Sequence, residues 1–222
     1  MTCIINLLYI SLISVSFSFF SASVDVRYTP RILGRRFPLT LTSYKWIDVG
    51  ITVGPVSCFV DLLLGDNKGN RIVLPYRTWR ALIERRVDVE RFVENERFGQ
   101  TTEASSSLAI HELNVKIVKL GAKRIVKLKL GEDCIFLKPA TMQFIFELEY
   151  CVEQVYYTLY QSVTTVTEKF KYFVNFLRQN CVTNKRDAKH MLCTSYDKNS
   201  QIECELITYA IDLIVGDALH GE

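Results

Sequence analysis

Histidine is scarce in this chain: its 222 residues include three, His111, His190 and His220. None of them stands in a nucleophile or metalloprotease motif. A glycine-rich loop able to cradle phosphates is also missing, since Gly65 and Gly69 flank a hairpin and read as turn residues. These absences leave catalysis without its usual instruments, and the chain reads as non-enzymatic. Charge of one sign is not in excess either: 27 Lys and Arg against 24 Asp and Glu give a net charge of +3. Bulk charge therefore announces no polyanionic partner, and local charge has to make that case.

Long apolar runs are confined to the start. Residues 1–23 (MTCIINLLYISLISVSFSFFSAS) carry no charge, yet the stretch is too short and too polar for a membrane span, so no stable membrane insertion is expected. It reads as a secretory leader with Ser21 and Ser23 near the cleavage position, or as an upstream start outside the working protein. Loss of the leader removes Cys3 and leaves Cys58, Cys134, Cys151, Cys181, Cys193 and Cys204. An even count suits a bridged, secreted protein. Bridges inherited by duplication would recur in both halves of the repeat described next, and these do not. Buried free thiols suit Cys58, Cys134 and Cys151. Cys181, His190, Cys193 and Cys204 could supply zinc ligands, but the close Cys-x-x-Cys pairs of a strong site are missing. No metal or other cofactor is expected, and a Cys181–Cys193 or Cys193–Cys204 bridge is the alternative in a secreted form.

What the chain does have is a segment written twice. Residues 47–65 (IDVGITVGPVSCFVDLLLG) align without a gap on residues 113–131 (LNVKIVKLGAKRIVKLKLG) at an offset of 66. Ile47, Val49, Ile51, Val60, Leu62, Leu64 and Gly65 fall on Leu113, Val115, Ile117, Val126, Leu128, Leu130 and Gly131. After a loop three residues shorter, Ile72, Leu74, Thr78, Leu82 and Glu84 fall on Ile135, Leu137, Thr141, Ile145 and Glu147 at an offset of 63. One copy is too small to bury its own apolar face well, whereas two can close on each other.

Alternation marks the strands of each copy, and GDNKGN marks a hairpin. A helix opens at Pro75 in one copy and at Pro139 in the other. The expected fold is α+β: tandem strand-strand-strand-helix repeats whose antiparallel sheets form an intramolecular pseudo-dimer, with a C-terminal helical cap. Its parts are a basic arm at 24–38, a first repeat at 39–98, a second at 108–161, and the cap at 164–222. The cap is expected to begin with a Thr165–Glu168 capping box.

Outward positions differ between the copies. The second carries Lys116, Lys123, Lys127 and Lys129 on one face of two adjacent strands. The first carries Tyr44, Trp46 and Phe59, and the arm adds Arg27, Arg31, Arg35 and Arg36. Cations that track phosphates beside rings that accept unstacked bases are what a single strand of nucleic acid requires. Lysines on a solvent face also serve to keep a sheet soluble and blunt its edges.

The segment RIVLPYRTWRALIERRV, residues 71–87, resembles the strand-to-helix junction of the positive-cofactor-four transcriptional coactivator family. Arg71, Ile72, Leu74, Trp79, Leu82 and Glu84 carry the resemblance, and SYKWIDVGI with CFVDLLLGDNKGN looks like the family's first two strands and hairpin. The resemblance covers roughly residues 40–97, and reaches 108–160 through the internal repeat, where Met142 replaces the tryptophan and Lys138 and Pro139 occupy the turn. It implies a curved antiparallel sheet followed by a helix, working as a dimer that binds single-stranded or melted DNA. The Whirly proteins share that design with two units in one chain. It further implies nucleic-acid contacts at Lys68, Arg71 and Trp79, a nuclear location, and contact with the transcription machinery. The rival expectation is a secreted or structural interaction module that keeps the fold without the binding.

Overall fold

A computed structural model describes residues 29–95, 107–121 and 123–220. Two four-stranded antiparallel sheets carry the architecture. The first runs β1 (Arg31–Pro38), β2 (Lys45–Thr52), β3 (Phe59–Asp66), β4 (Arg71–Leu74) in that spatial order. Two helices follow, α1 (Tyr76–Glu84) and α2 (Arg86–Asn95). The second sheet runs β5 (Ser107–Ile110), β6 (Leu113–Leu120), β7 (Lys123–Leu130), β8 (Asp133–Leu137), followed by α3 (Pro139–Glu147) and α4 (Glu149–Gln179). The chain ends with α5 (Lys185–Ser195), α6 (Gln201–Tyr209) and α7 (Ile211–His220).

The fold is α+β with the expected internal doubling, and each unit holds four strands where three were expected. The extra strand of the first unit comes from the segment read as an arm. Its alternation is hidden by a bulge between Ile32 and Arg35, where Leu33 takes a φ of 54°. The extra strand of the second unit, Ser107–Ile110, follows the linker, which otherwise lies outside the described residues.

The repeat offset survives folding to the residue in the helices. α1 at 76–84 and α3 at 139–147 are 63 apart at both ends, and so are their C-caps, Arg85 and Leu148. The paired core positions are buried in both units: Ile47 with Leu113, Leu62 with Leu128, Ile72 with Ile135, Trp79 with Met142. The break at Arg85 and Leu148 splits what the sequence pattern read as one helix per copy.

After the break the two units part company. α2 is described over Arg86–Asn95, while α4 runs for 31 residues. No glycine or proline interrupts Glu149–Gln179, so nothing in its backbone chemistry ends the helix early. Thr165 and Glu168 lie inside it and cap nothing, and the boundary expected between 161 and 164 falls within it. Val152, Leu159, Val166 and Phe173, seven apart, form its buried seam with Phe170, Val174 and Leu177. That seam covers β2 and β3 of the first sheet, so the second unit's helix supplies the first unit's core.

The two units also meet directly. β4 lies beside β8. Tyr76 of α1 stacks on Tyr156 of α4 at 3.7 Å between centroids, and its hydroxyl donates to Tyr157 at 2.9 Å. Arg80 bonds Glu153 at 2.5 Å. Burial and then the Tyr157 hydroxyl hold the Tyr76 phenol above its ordinary range. The outer edges are guarded: α6 packs on β1, where Glu205 accepts the free Leu33 N–H at 2.5 Å, and Arg85 donates to the Ala109 carbonyl on β5 at 2.9 Å. Exposed strand edges invite pairing with other chains, and both devices deny it.

Candidate nucleic-acid interface

The outward face of the second sheet is built by register. Lys116 of β6 stands directly opposite Lys127 of β7, and Asn114 opposite Lys129. On the other side of β7, Lys127 faces Phe136 and Lys129 faces Cys134 of β8. The Lys127 ammonium lies 5.6 Å from the Phe136 ring centroid, over its face. Lys123 sits on the same face at the far end of the hairpin. Among the described residues, Lys116, Lys123 and Lys127 have no carboxylate partner, and Lys129 reaches only the fully exposed Glu132 at 3.6 Å. Directly opposed like charges destabilise a sheet. This pair is therefore carried at a cost to the fold.

The equivalent face of the first sheet has the opposite character. Arg31 sits between Asp61 at 2.6 Å and Asp48 at 3.6 Å. Its guanidinium passes over Gly50, where a Cβ would meet it at 3.1 Å. Thr52 Oγ1 donates to Asp61 at 2.8 Å. Burial raises the Asp61 pKa above its ordinary 3.8, with Arg31 and Thr52 opposing. Arg36 pairs with Asp48 at 3.1 Å and stacks over the Trp46 ring at 3.9 Å. Trp46 in turn lies over Gly65. On the other side of the sheet, in line with Ile47 and Leu64, Lys45 pairs with Asp66 at 2.7 Å.

Arg31 and Arg36, counted from sequence as cations open to phosphate, are thus committed within the fold. Their partners were visible at outward positions, but the register of β1 that joins them was not. Arg35 lies 5.7 Å from the Phe37 ring, and Arg27 lies outside the described residues.

The remaining candidates scatter. Trp79 is 0 % exposed and belongs to the core, as its helical stripe allows; its burial removes it from any surface contact. Lys68 is exposed on the β3–β4 hairpin, its backbone N–H donating to Asp66 at 2.9 Å. Arg71 is exposed at the rim of a cleft of about 580 Å³ that Trp46, Asn70, Glu205 and Tyr209 also line. Phe59 is half exposed where β3 begins.

Of the three aromatics Tyr44, Trp46 and Phe59, Tyr44 lines a groove shared with the second unit's Phe136. The β1–β2 loop, residues 39–44, leans toward the second unit and encloses an apolar groove of about 1010 Å³. Tyr44 and the exposed Leu41 form one wall; Ile125, Phe136 and Phe144 form the other. Sequence reasoning missed Phe136, although the alternation of Cys134, Ile135, Phe136 and Leu137 places it outward. It missed the groove because the loop's direction is a tertiary property.

Among the described residues, no group of three His, Cys, Asp or Glu is placed to hold a metal, and six cysteines are unbridged. No helix among them is long and apolar enough to cross a membrane. The structure defines a class: a two-unit antiparallel-sheet protein with one ion-paired face and one open basic face. No family model matches the chain, and no curated protein matches it.

Proposed function

We propose that the chain is a non-enzymatic, sequence-tolerant single-stranded nucleic-acid-binding protein, as its resemblance to the positive-cofactor-four coactivators implies. The observation that carries this reading is the opposed, unneutralised pair Lys116 and Lys127 beside the ring of Phe136. A polyanion relieves the repulsion and releases its own counterions in doing so. Phe136 and Tyr44 supply faces on which bases stack, worth roughly 1–3 kcal/mol each. Lys129 and Lys123 extend the phosphate track. A nuclear location and contact with transcription machinery belong to the same proposal.

The test is oligonucleotide binding across a salt series. Four lysine contacts correspond to a slope of about −3 in log affinity against log salt for a single strand. Lys116→Glu with Lys127→Glu abolishes binding on this reading. Absence of binding at low salt overturns it.

A second reading has one observation behind it: the first sheet's face is closed by its own ion pairs. On that reading the chain is a secreted or structural protein-interaction module that keeps the fold without nucleic-acid binding. Lack of binding at low salt, together with a bridged thiol pair in protein from its native source, favours it.

A further inference from the structure

The groove between the β1–β2 loop and the second unit carries an unpaired charge. Its lining includes two charged residues, Lys45 and Lys138, and no Asp or Glu. Lys45 is neutralised by Asp66 at 2.7 Å. Lys138 is exposed and has no carboxylate partner among the described residues. Lys127, equally unpaired, stands over Phe136 on the same rim. The acids within three residues of the lining do not answer this charge. Asp48 is held by Arg31 and Arg36. Asp133 falls on the side of β8 that carries the buried Ile135 and Leu137. Glu147 ends α3, at the opposite end of that helix from Lys138, its N-cap.

The rest of the lining is apolar or bears hydroxyls. Leu41 is fully exposed in the loop, and Phe136 and Phe144 across from it are each 37 % exposed. The volume of about 1010 Å³ stands at the top of the range for small-molecule sites, about 300–1,000 Å³. An apolar groove with one free cation in its lining fits an apolar body with one negative head. A neutral lipid would leave Lys138 unused. A bilayer surface is flat, so it would meet Leu41 and miss the buried Leu137 and Thr141 of the same lining. A single acyl chain reaches both. Its head belongs at the start of α3, where no side chain caps the helix and the dipole adds to the attraction of Lys138.

We propose that this groove binds one long-chain fatty acid, with its carboxylate on Lys138. The acyl chain lies between Leu41 and Tyr44 on one wall and Ile125, Phe136 and Phe144 on the other. This is a second ligand class, and it does not rest on nucleic-acid binding, since Lys116, Lys123 and Lys129 take no part in it.

Isothermal titration of the full chain with monomeric dodecanoate tests this. One site per chain is expected. Lys138→Met, which keeps the apolar stem, should weaken binding about fivefold, the upper end for an exposed ion pair. Dodecanol should bind the unaltered chain about as weakly and be indifferent to Lys138→Met. Leu41→Glu should lower dodecanoate affinity about tenfold by setting a charge against the acyl chain. Its melting temperature should not change, because the side chain is fully exposed. Lys116→Glu should leave dodecanoate binding as it was, so that failure of nucleic-acid binding and failure of this proposal are separate results. No saturable binding, equal affinity for dodecanol and dodecanoate, or binding to phosphatidylserine vesicles alone overturns the proposal. A groove filled by a second copy would show as a dimer that Leu41→Glu dissolves and dodecanoate leaves intact, and that result overturns it too.

Discussion

The Trp46 indole lies across Gly65 so closely that a Cβ built there would stand 2.5 Å from two of its ring carbons. Gly65→Ala must push the ring off the sheet, taking Arg36 and its pairing with Asp48 along. A loss of about 1–3 kcal/mol is expected from overpacking of this kind, measured by urea unfolding. Gly131, its repeat partner, has a φ of 57° and open space around it. Gly131→Ala should cost only about 1 kcal/mol, from the left-handed backbone.

Lys116→Thr should separate stability from binding. Removing one of two opposed cations relieves repulsion on an open face, so the melting temperature should hold or rise slightly. Oligonucleotide affinity should fall, and the salt slope should shrink by about 0.7, one phosphate contact on a single strand. Thermal melting with fluorescence anisotropy on the same variant checks both. A variant that loses stability without losing affinity would contradict the assignment of this face.

Asp61 and Asp66, each 5 % exposed, should titrate in opposite directions. Burial raises Asp61 above 3.8; its protonated form is favoured in the fold, so its contribution is full below that value and is lost as pH rises through its higher folded pKa. Burial also pushes Asp66 upward, but hydrogen bonds from Lys45 and Asn70 outweigh it and leave the carboxyl below 3.8. Its contribution is present above 3.8 and is lost as pH falls through the lower folded value. Carboxyl carbon shifts followed by NMR should bracket 3.8 from both sides. The destabilisation caused by Asp66→Asn should accordingly be greatest near neutrality and shrink in acid.

Tyr76 and Tyr156 join the two units by a stacked pair at 3.7 Å. A double-mutant cycle with Tyr76→Leu and Tyr156→Leu should return a coupling of about 0.5–1.5 kcal/mol. Equilibrium denaturation of the four proteins supplies it.

The doubled core was legible because burial constrains residue type strictly. Ile47 and Leu113, or Thr78 and Thr141, repeat since both copies solve one packing problem. The lysine face was legible for a related reason: once Leu113 and Val115 point inward, alternation fixes Asn114 and Lys116 outward. The arginine cluster was not, because Arg31 finds Asp61 across three strands and a bulge. Trp79 shows the limit of motif matching, since a side chain shared with a binding family can serve the core alone. The groove beside Phe136 depends on six loop residues whose local sequence says nothing about where they lean.

The reach of α4 across the first sheet has a consequence in time. β2 and β3 emerge early in synthesis, but the helix that covers them ends at Gln179. At about 5–20 residues per second, the first sheet waits roughly 5–20 s for its cover. During that interval its apolar side faces solvent or a chaperone. A nascent chain halted before Glu149 would hold a repeat unit that has all of its strands and lacks the cover for them.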